Sequence, residues 1–162
     1  MSMKKVNKKT VILLILAILL LVILFFPHPL AIHLGFEEKR FNEGTQLYTI
    51  SIVVDESTDA QRKVISTEDP ELLIQLKETL LSVRCCFAGW YTGIYYTDKP
   101  LLSLYAIGNN TIGDFRFDFT VDDRGYVYIS KPNSFGGVRY HTKNAELYSL
   151  LAEVSLLLAS QQ

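Results

Sequence analysis

An uninterrupted apolar run, Val11 to Phe26, constrains this chain more than any other feature of its sequence. The run contains sixteen residues, all of them Val, Ile, Leu, Ala or Phe. The preceding segment is basic and contains Lys4, Lys5, Lys8 and Lys9. At about 1.5 Å per residue the run makes a helix of about 24 Å, and the mildly polar flank from Pro27 to Ile32 extends it to the ~30 Å of a hydrocarbon core. The sequence therefore predicts a transmembrane helix.

A cleaved signal peptide shares this pattern, but it requires small residues at the cleavage site. The nearby small residues Ala31 and Gly35 do not have the spacing of such a site. No cysteine follows the run before Cys85, which excludes an acylated lipoprotein. We therefore expect an uncleaved signal anchor. Because the lysines precede the run, the positive-inside rule predicts a single-pass protein of the cell membrane, with its N-terminus inside and its domain outside.

These assignments divide the chain into four parts. Residues 1–9 form a basic cytoplasmic N-terminus, 10–27 the transmembrane signal anchor, 28–43 a juxtamembrane tether, and 44–162 one extracytoplasmic domain. Without the four N-terminal lysines, 12 basic residues remain against 17 acidic ones, a net charge of −5. Nucleic acids and anionic headgroups attract positive surfaces. We therefore expect the membrane as a partner through the apolar run, and no nucleic acid.

The first half of the domain predicts a hairpin followed by a helix. Apolar and polar residues alternate from Thr45 to Asp55, as in a half-buried strand, and residues 62–66 are its expected hairpin partner. Asp69 is a typical N-cap, and Pro70 suits the first helical position. A helix is therefore predicted from there to about Val83. Its apolar stripe comprises Leu72, Leu73, Leu76, Leu80 and Val83.

The second half predicts a meander closed by a second helix. Strands are expected over 101–107, 111–120, 126–130 and 138–141, with a tight turn from Asp122 to Gly125. In the second of these strands Phe115, Phe117 and Phe119 alternate with charged residues and are expected to face inward. Thr142 is the expected cap of the last helix. The predicted fold class is α+β: an N-terminal transmembrane helix followed by an antiparallel sheet of about five or six strands, with two helices on one face.

The order of these elements is similar to that of a known kind of protein. The chain has a basic start, one membrane helix, a β-hairpin, a helix opening at Glu68-Asp69-Pro70, a three-strand meander and a leucine-striped C-terminal helix. From Thr45 to Ala159 this pattern resembles the small, uncharacterised, membrane-anchored exported domains of Gram-positive bacteria, which are families of unknown function. The resemblance implies the architecture and carries over no site residues.

Cysteines and histidines are the first candidates for chemistry. Cys85 and Cys86 are adjacent, so a disulfide between them would strain the peptide, because neighbouring Cα atoms lie closer than disulfides prefer. Inert thiols are favoured, with a vicinal redox pair and an intermolecular disulfide as alternatives. His28 and His33 are expected at the membrane surface and His141 at the start of the last helix. They are therefore expected to be interfacial or capping residues, without a metal site.

Carboxylates offer a second possibility. Asp114 and Asp118 point to the same side of one predicted strand, and paired carboxylates can perform acid and base catalysis. Arg116 between them is more typical of a solvated face with cross-strand ion pairs. Ser134 precedes Phe-Gly-Gly but lacks the strand-to-helix setting of a nucleophile elbow. We assign no catalytic residue from the sequence.

The segment from Phe87 to Tyr96 is unusually rich in aromatic residues. Dense aromatic residues in a loop suit a recognition surface, because they supply contact area at a low cost in entropy. The alternative is a loop that folds over the sheet and fills the core. We expect Trp90 itself to be buried and the tyrosines to form an exposed rim. The candidate binding residues are Trp90, Tyr91, Tyr95 and Tyr96.

The leading hypothesis for function is a non-catalytic binding module at the cell envelope, with an envelope protein as its partner and without a cofactor. One alternative is an envelope hydrolase that uses Asp114 and Asp118. Another is an immunity or assembly protein that acts through its membrane helix. These hypotheses assign the function to three different parts of the chain: the aromatic segment, one strand, and the apolar run.

Overall fold

The structure is a computed structural model, and it describes residues 8–36, 39–55, 62–93, 98–130 and 136–160. Three helices are present in these ranges: α1 (Lys8–Phe25), α2 (Pro70–Ser82) and α3 (Glu146–Ala159). The short strands of the N-terminal part are β1 (His28–Pro29), β2 (Gly35–Phe36) and β3 (Lys39–Arg40). The longer strands are β4 (Gln46–Asp55), β5 (Arg62–Thr67), β6 (Arg84–Tyr91), β7 (Leu101–Asn110), β8 (Gly113–Val121), β9 (Tyr126–Ser130) and β10 (Gly137–Thr142).

Eight of these strands form one antiparallel sheet in the order β1-β6-β10-β9-β8-β7-β4-β5. The α+β content is as predicted, but the expected count of about five or six strands is wrong. The two strands absent from the prediction are β1 and β6, which pair with each other at one edge of the sheet. Strands β2 and β3 form a separate two-stranded ribbon.

The meander β7-β8-β9 confirms the alternation seen in the sequence. Phe115, Phe117 and Phe119 are buried, whereas Asp114 and Arg116 on the same strand are exposed. The three phenyl rings lie in a row, with centroids 6.1 and 6.3 Å apart between successive rings. This row forms the centre of the core, because a strand places every second side chain on one face of the sheet.

Both helices of the domain pack on the same face of the sheet, as predicted. The Asp69 carboxylate accepts a hydrogen bond of 2.9 Å from the backbone N–H of Glu71, and Pro70 occupies the first turn of α2. Helix α2 then buries Leu73, Leu76 and Leu80. Helix α3 lies against β4, β5 and β7. On the opposite face, which we call the uncovered face, three described side chains of β8 are exposed: Asp114, Arg116 and Asp118.

The turn from Asp122 to Gly125 and the 3₁₀ turn before α3 are joined by a hydrogen bond of Thr142. The Asp122 carboxylate is fully buried, and it accepts hydrogen bonds from the Arg124 guanidinium at 2.7 Å and from the Tyr128 hydroxyl at 3.0 Å. Gly125 has a φ of 85°, a left-handed conformation that favours glycine in this turn, as the sequence predicts. Thr142 does not cap α3 as expected. Its hydroxyl donates to the carbonyl oxygen of Gly125, and a 3₁₀ turn (Lys143–Ala145) separates it from the helix.

The segment after α1 is built into the domain, although residues 28–43 are expected to form a tether. It contributes β1 and a 3₁₀ turn (Leu30–His33). Leu30, Leu34 and Phe41 are buried in the same core as the meander, and the Phe41 ring meets Phe117 edge-on at 5.3 Å. The N-H of Leu30 donates to the carbonyl of Val83, which fixes the segment beside the start of β6.

Helix α1 is the observed form of the apolar run, and here the structure corrects the prediction. Within the part of the chain that the structure describes, no helix is both long and apolar enough to cross a membrane. α1 ends at Phe25, because Pro27 has no N–H and disfavours helical geometry in the residue before it. The flank expected to lengthen the helix belongs to the domain instead. The transmembrane helix predicted as part of the fold is therefore wrong.

Candidate functional site

Strand β6 carries most of the residues that the sequence singles out. The first part of the predicted aromatic loop is a strand, which pairs with β10 on one side and with β1 on the other. Because side chains alternate along a strand, Cys85 and Phe87 point to the helix-covered face, and Cys86 points to the opposite face. Cys85 lies opposite Thr142, and Cys86 lies opposite His141. We call Trp90 and Tyr91, at the far end of β6, the aromatic strand end.

Trp90 is exposed, and the expectation that it fills the core is wrong. Trp90 is 67% exposed. Trp90 lies opposite Val138 of β10, one residue before the end of β6. Gly89, with a φ of 112°, lies directly before it, where β10 shifts register between Arg139 and Tyr140. The ring of Phe87 meets the indole edge-on at 6.1 Å.

Tyr91 lies beside Trp90 but is half-buried. Its ring meets Tyr128 edge-on at 5.1 Å, and its hydroxyl lies 3.2 Å from the hydroxyl of Ser130. Tyr91 therefore anchors the strand end on the sheet, while Trp90 presents the exposed aromatic surface. Tyr95 and Tyr96 lie outside the described residues.

A second group of residues comes together at the other end of β6. His28 on β1 lies directly opposite Cys85, and His33 reaches the same place from the 3₁₀ turn. One ring nitrogen of each histidine and the Cys85 sulfur all lie within 4.8 Å of one another. The two imidazole rings meet edge-on, with centroids 4.8 Å apart. We call these three residues the His–Cys cluster.

Hydrogen bonds fix the tautomer of one histidine in this cluster. Nδ1 of His28 lies 2.9 Å from the backbone carbonyl oxygen of Phe26, which can only accept, so Nδ1 carries the proton. In the neutral form of this tautomer, Nε2 of His28 has the lone pair. This atom is buried and has no hydrogen-bond partner among the described residues. Nε2, the nitrogen of His28 that can bind a cation, is therefore also the nitrogen that receives no hydrogen bond from the described residues.

Tyr140 connects the cluster to the sheet. Its hydroxyl lies 3.0 Å from Nδ1 of His33, and its ring stacks on the imidazole with centroids 4.1 Å apart. Burial raises the pKa of Tyr140 to about 12, and burial also raises the pKa of the Cys85 thiol to about 12. Without a cation nearby, Cys85 is therefore protonated at neutral pH and behaves as a small apolar residue.

Sequence reasoning missed the His–Cys cluster, because it placed His28 and His33 at a membrane surface. The two histidines are five positions apart with Pro29 between them, a spacing that matches no helical or strand motif for metal ligands. Their approach to Cys85 depends on the pairing of β1 with β6, which is remote in the chain. The third histidine, His141, is separate from the cluster, as expected, and faces Cys86 on the other side of the sheet.

Both cysteines are free, and their strand geometry explains why. Cys85 and Cys86 point to opposite faces of β6, so their sulfur atoms are directed away from each other. This arrangement agrees with the favoured expectation of unpaired thiols and does not provide the vicinal redox pair. Burial is the main cause of the raised pKa of Cys85, and the neighbouring Cys86 raises this pKa further.

The two carboxylates of the hydrolase hypothesis do not converge. Asp114 and Asp118 lie four positions apart on β8, and at about 3.3 Å per residue their Cα atoms are about 13 Å apart. Glycosidase carboxylates lie about 5 to 9.5 Å apart. Desolvation raises the pKa of Asp118, and the neighbouring Arg116 partly opposes this shift. The arrangement is that of an exposed charged strand face, as its residue pattern indicates.

Comparison of the chain with protein-family models, curated proteins and solved structures finds no match. No relative therefore assigns a role to the aromatic strand end or to the His–Cys cluster. The resemblance to small exported domains of Gram-positive bacteria stays a prediction, and only the geometry of the chain itself bears on its function.

Proposed function

We propose that this protein is a non-catalytic binding module, held at a lipid membrane by α1, which recognises a protein partner through the aromatic strand end. The observation that carries the proposal is the exposure of the large apolar side chains along α1. The binding role rests on a second observation, the exposed indole of Trp90. The two parts of the proposal use opposite ends of β6 and can be tested separately.

Helix α1 needs an apolar environment. The described large side chains of α1 have exposed fractions between 40% for Val11 and 67% for Leu13, and exposed residues occur on every side of the helix. A helix that is apolar on all sides is stable only where apolar matter surrounds it. Lipid provides this environment. A helix can be embedded in the apolar part of a bilayer without crossing the bilayer. The domain has a negative net charge and gives no attraction to anionic headgroups. Lys8 and Lys9 at the start of α1 add some attraction, and the apolar side chains supply most of the affinity.

Flotation of the full chain with vesicles of phosphatidylcholine and phosphatidylglycerol tests this attachment. The wild-type chain should float with the vesicles, and high salt should not release it, because apolar insertion is not screened. The disruptive variant combines Leu13→Lys, Leu16→Lys and Leu20→Lys. A matched control places the same three charges on exposed apolar positions of the domain, with Val64→Lys, Ile107→Lys and Leu156→Lys. The control should float and the α1 variant should not; equal flotation of the two would contradict the attachment.

The aromatic strand end suits the recognition of a protein. Tryptophan is enriched among the residues that contribute most to protein interfaces, since it buries a large area at a small cost in side-chain entropy. Next to Trp90, Tyr91 fixes the end of β6 on the sheet through its contacts with Tyr128 and Ser130. The indole is therefore displayed on a rigid element, which lowers the entropic cost of binding.

Site-specific photo-cross-linking tests this surface in the cells that express the chain. A benzoylphenylalanine replaces Trp90 in one variant and Tyr105 in a control, because Tyr105 is also an exposed aromatic residue but lies on the uncovered face of the sheet. Irradiation should join the chain to one discrete protein from position 90 and not from position 105. Absence of a discrete product from position 90, or the same product from both positions, would contradict the assignment.

The two alternative hypotheses concern strand β8 and helix α1. The separation of Asp114 and Asp118 gives the hydrolase no supporting geometry. The immunity or assembly role, and the placement of the domain outside the cell, stay predictions. An assembly role of this kind would require α1 to contact a protein as well as lipid.

A further inference from the structure

We propose that the His–Cys cluster is a binding site for a thiophilic transition-metal ion, Cu⁺ or Zn²⁺, held by the Cys85 thiolate and by Nε2 of His28 and His33. This site is independent of the proposed binding function, because it lies at the opposite end of β6 from Trp90. It joins the segment that follows α1 to the sheet.

The distances are suitable for a bound ion. Metal–sulfur bonds of about 2.3 Å and metal–nitrogen bonds of about 2.0–2.1 Å place ligand atoms about 3.4–3.8 Å apart around one ion. One ring nitrogen of each histidine and the Cys85 sulfur lie within 4.8 Å of one another. A contraction of at most about 1.4 Å is therefore required, and rotation of the side chains can provide it. Cys85 and His28 are already held opposite each other by the pairing of β6 with β1.

The hydrogen bonds around the cluster prepare both imidazoles for coordination. Metal-bound histidines donate their second N–H to a carbonyl or another acceptor, which fixes the ring and its tautomer. The Phe26 carbonyl accepts from Nδ1 of His28, and the Tyr140 hydroxyl oxygen is placed to accept from Nδ1 of His33. Nε2 of each ring is then the ligating atom.

Burial gives a second reason to expect an ion. A buried nitrogen without a hydrogen-bond partner costs free energy, and such atoms are rare in native proteins. Nε2 of His28 is an atom of this kind within the described part of the chain. Coordination of an ion would replace the missing hydrogen bond and remove that cost.

The donor set selects the class of ion. A thiolate with two imidazoles favours Cu⁺ and Zn²⁺ over the hard ions Mg²⁺ and Ca²⁺, which prefer oxygen. On binding, the S–H bond of Cys85 breaks, its proton leaves to solvent, and the sulfur forms a bond to the ion without any change of oxidation state. The thiolate and Cu⁺ together are neutral, whereas Zn²⁺ leaves one positive charge. Because charge is costly in a buried site, this balance favours Cu⁺.

Metal titration of the full chain in mild detergent tests the proposal. The metal-free, reduced chain is titrated without oxygen, first with Cu⁺ in competition with a colorimetric chelator, and separately with Co²⁺ as a spectroscopic substitute for Zn²⁺. We expect one ion per chain and, with Co²⁺, a thiolate-to-cobalt charge-transfer band. Saturation by Cu⁺ alone assigns Cu⁺, saturation by Co²⁺ alone assigns Zn²⁺, and binding of both supports the shared site.

Variants on the two faces of the sheet supply the controls. Cys85→Ser should abolish the charge-transfer band, and His33→Gln should weaken binding by at least the ~10–100-fold that loss of an outer partner causes. Cys86→Ser and His141→Gln remove the same residue types from the opposite face and should bind as the wild type does. Tyr140→Phe gives an independent measurement if Cys85→Ser fails to fold, and it should weaken binding about 10–100-fold. The absence of stoichiometric binding of either ion, or an equal loss in the Cys86→Ser variant, would overturn the proposal.

Discussion

The two ends of the eight-stranded sheet are built in different ways. At one end, β4 and β5 are consecutive in the chain and form a hairpin, with Ile50 opposite Thr67 at one limit of the pairing. At the other end, β6 follows α2 in the chain and pairs with β10 and β1, which lie far from it in sequence. The first end carries regular alternation of polar and apolar residues. The second end carries the aromatic strand end, the His–Cys cluster and the exit of α1.

This difference separates structure that can be recognised locally from structure that cannot. A hairpin is specified by two neighbouring strands and a turn, all visible in one window of sequence. The edge formed by β1 and β6 depends on contacts between remote segments, so no local window contains its signal. The candidate sites lie at this second end. The following predictions test whether the two ends also differ in what their residues contribute to stability.

The largest effect is expected at the centre of the meander. Phe117→Ala should lower the free energy of unfolding by about 3–5 kcal/mol, as removal of a buried phenyl ring usually does. Phe117 contacts Phe115, Phe119 and Phe41, so little can move to fill the space. Guanidinium denaturation of the full chain in mild detergent measures the change. A loss below about 1 kcal/mol would show that this strand faces the other way.

The next effect concerns the segment after α1. Leu30→Ala should cost about 2–5 kcal/mol, because Leu30 is fully buried in the shared core. Ile32→Ala in the same 3₁₀ turn is the matched control. Ile32 is exposed, so its loss should change stability by no more than about 0.5 kcal/mol. Equal and small effects of both substitutions would mean that the segment is a tether, as the sequence alone suggested.

The parts of the fold that the sequence predicts are those with local causes. The N-cap at Asp69, the inward row of phenylalanines and the glycine turn at Gly125 each follow from a short pattern, and the structure contains all three. Thr142 is a local prediction that fails. Its hydroxyl has a second possible acceptor, the Gly125 carbonyl, which only the folded chain brings near. Local patterns do not record such competition.

The candidate sites were less predictable for the same reason. The sequence identified Trp90 and Tyr91 as unusual, but it could not show which of them the sheet covers. It assigned Trp90 to the core by the general tendency of aromatic residues. The His–Cys cluster had no signal, because its members come from β1, a 3₁₀ turn and β6. Only the pairing of His28 with Cys85 brings them together.

A small effect on stability is expected at the aromatic strand end. Trp90→Ala should change the free energy of unfolding by less than about 0.5 kcal/mol, because the indole is exposed. The chain has only one tryptophan, so its fluorescence reports on this position alone. Emission should resemble that of free indole, and iodide should quench it readily. A blue-shifted, protected emission in the isolated chain, or a loss of several kcal/mol, would place the indole in the core.

The smallest effect is expected for Asp118. Desolvation raises its pKa in the folded chain, so stability falls as the pH rises through the interval between its unfolded and folded pKa values. At neutral pH the ionised carboxylate is then slightly unfavourable. Asp118→Asn should therefore be as stable as the wild type or slightly more stable at pH 7, within about 0.5 kcal/mol, and this advantage should vanish in acid. Paired denaturation curves at neutral and acidic pH measure it; a clear loss of stability at pH 7 would contradict the exposed position.

Disulfide trapping between β1 and β6 tests the central claim most directly, because both the built-in segment and the His–Cys cluster depend on this pairing. Opposite residues of an antiparallel pair have Cα atoms about 4.5–5.5 Å apart, within the range that a disulfide accepts. The test variant combines His28→Cys with Cys86→Ser, so that Cys85 is the only possible partner within the chain. Its control combines Ile32→Cys with Cys86→Ser. Under mild oxidation the first variant should form an intramolecular disulfide almost completely and the control should not; a test variant that stays reduced, or that cross-links no more than the control, would contradict the pairing.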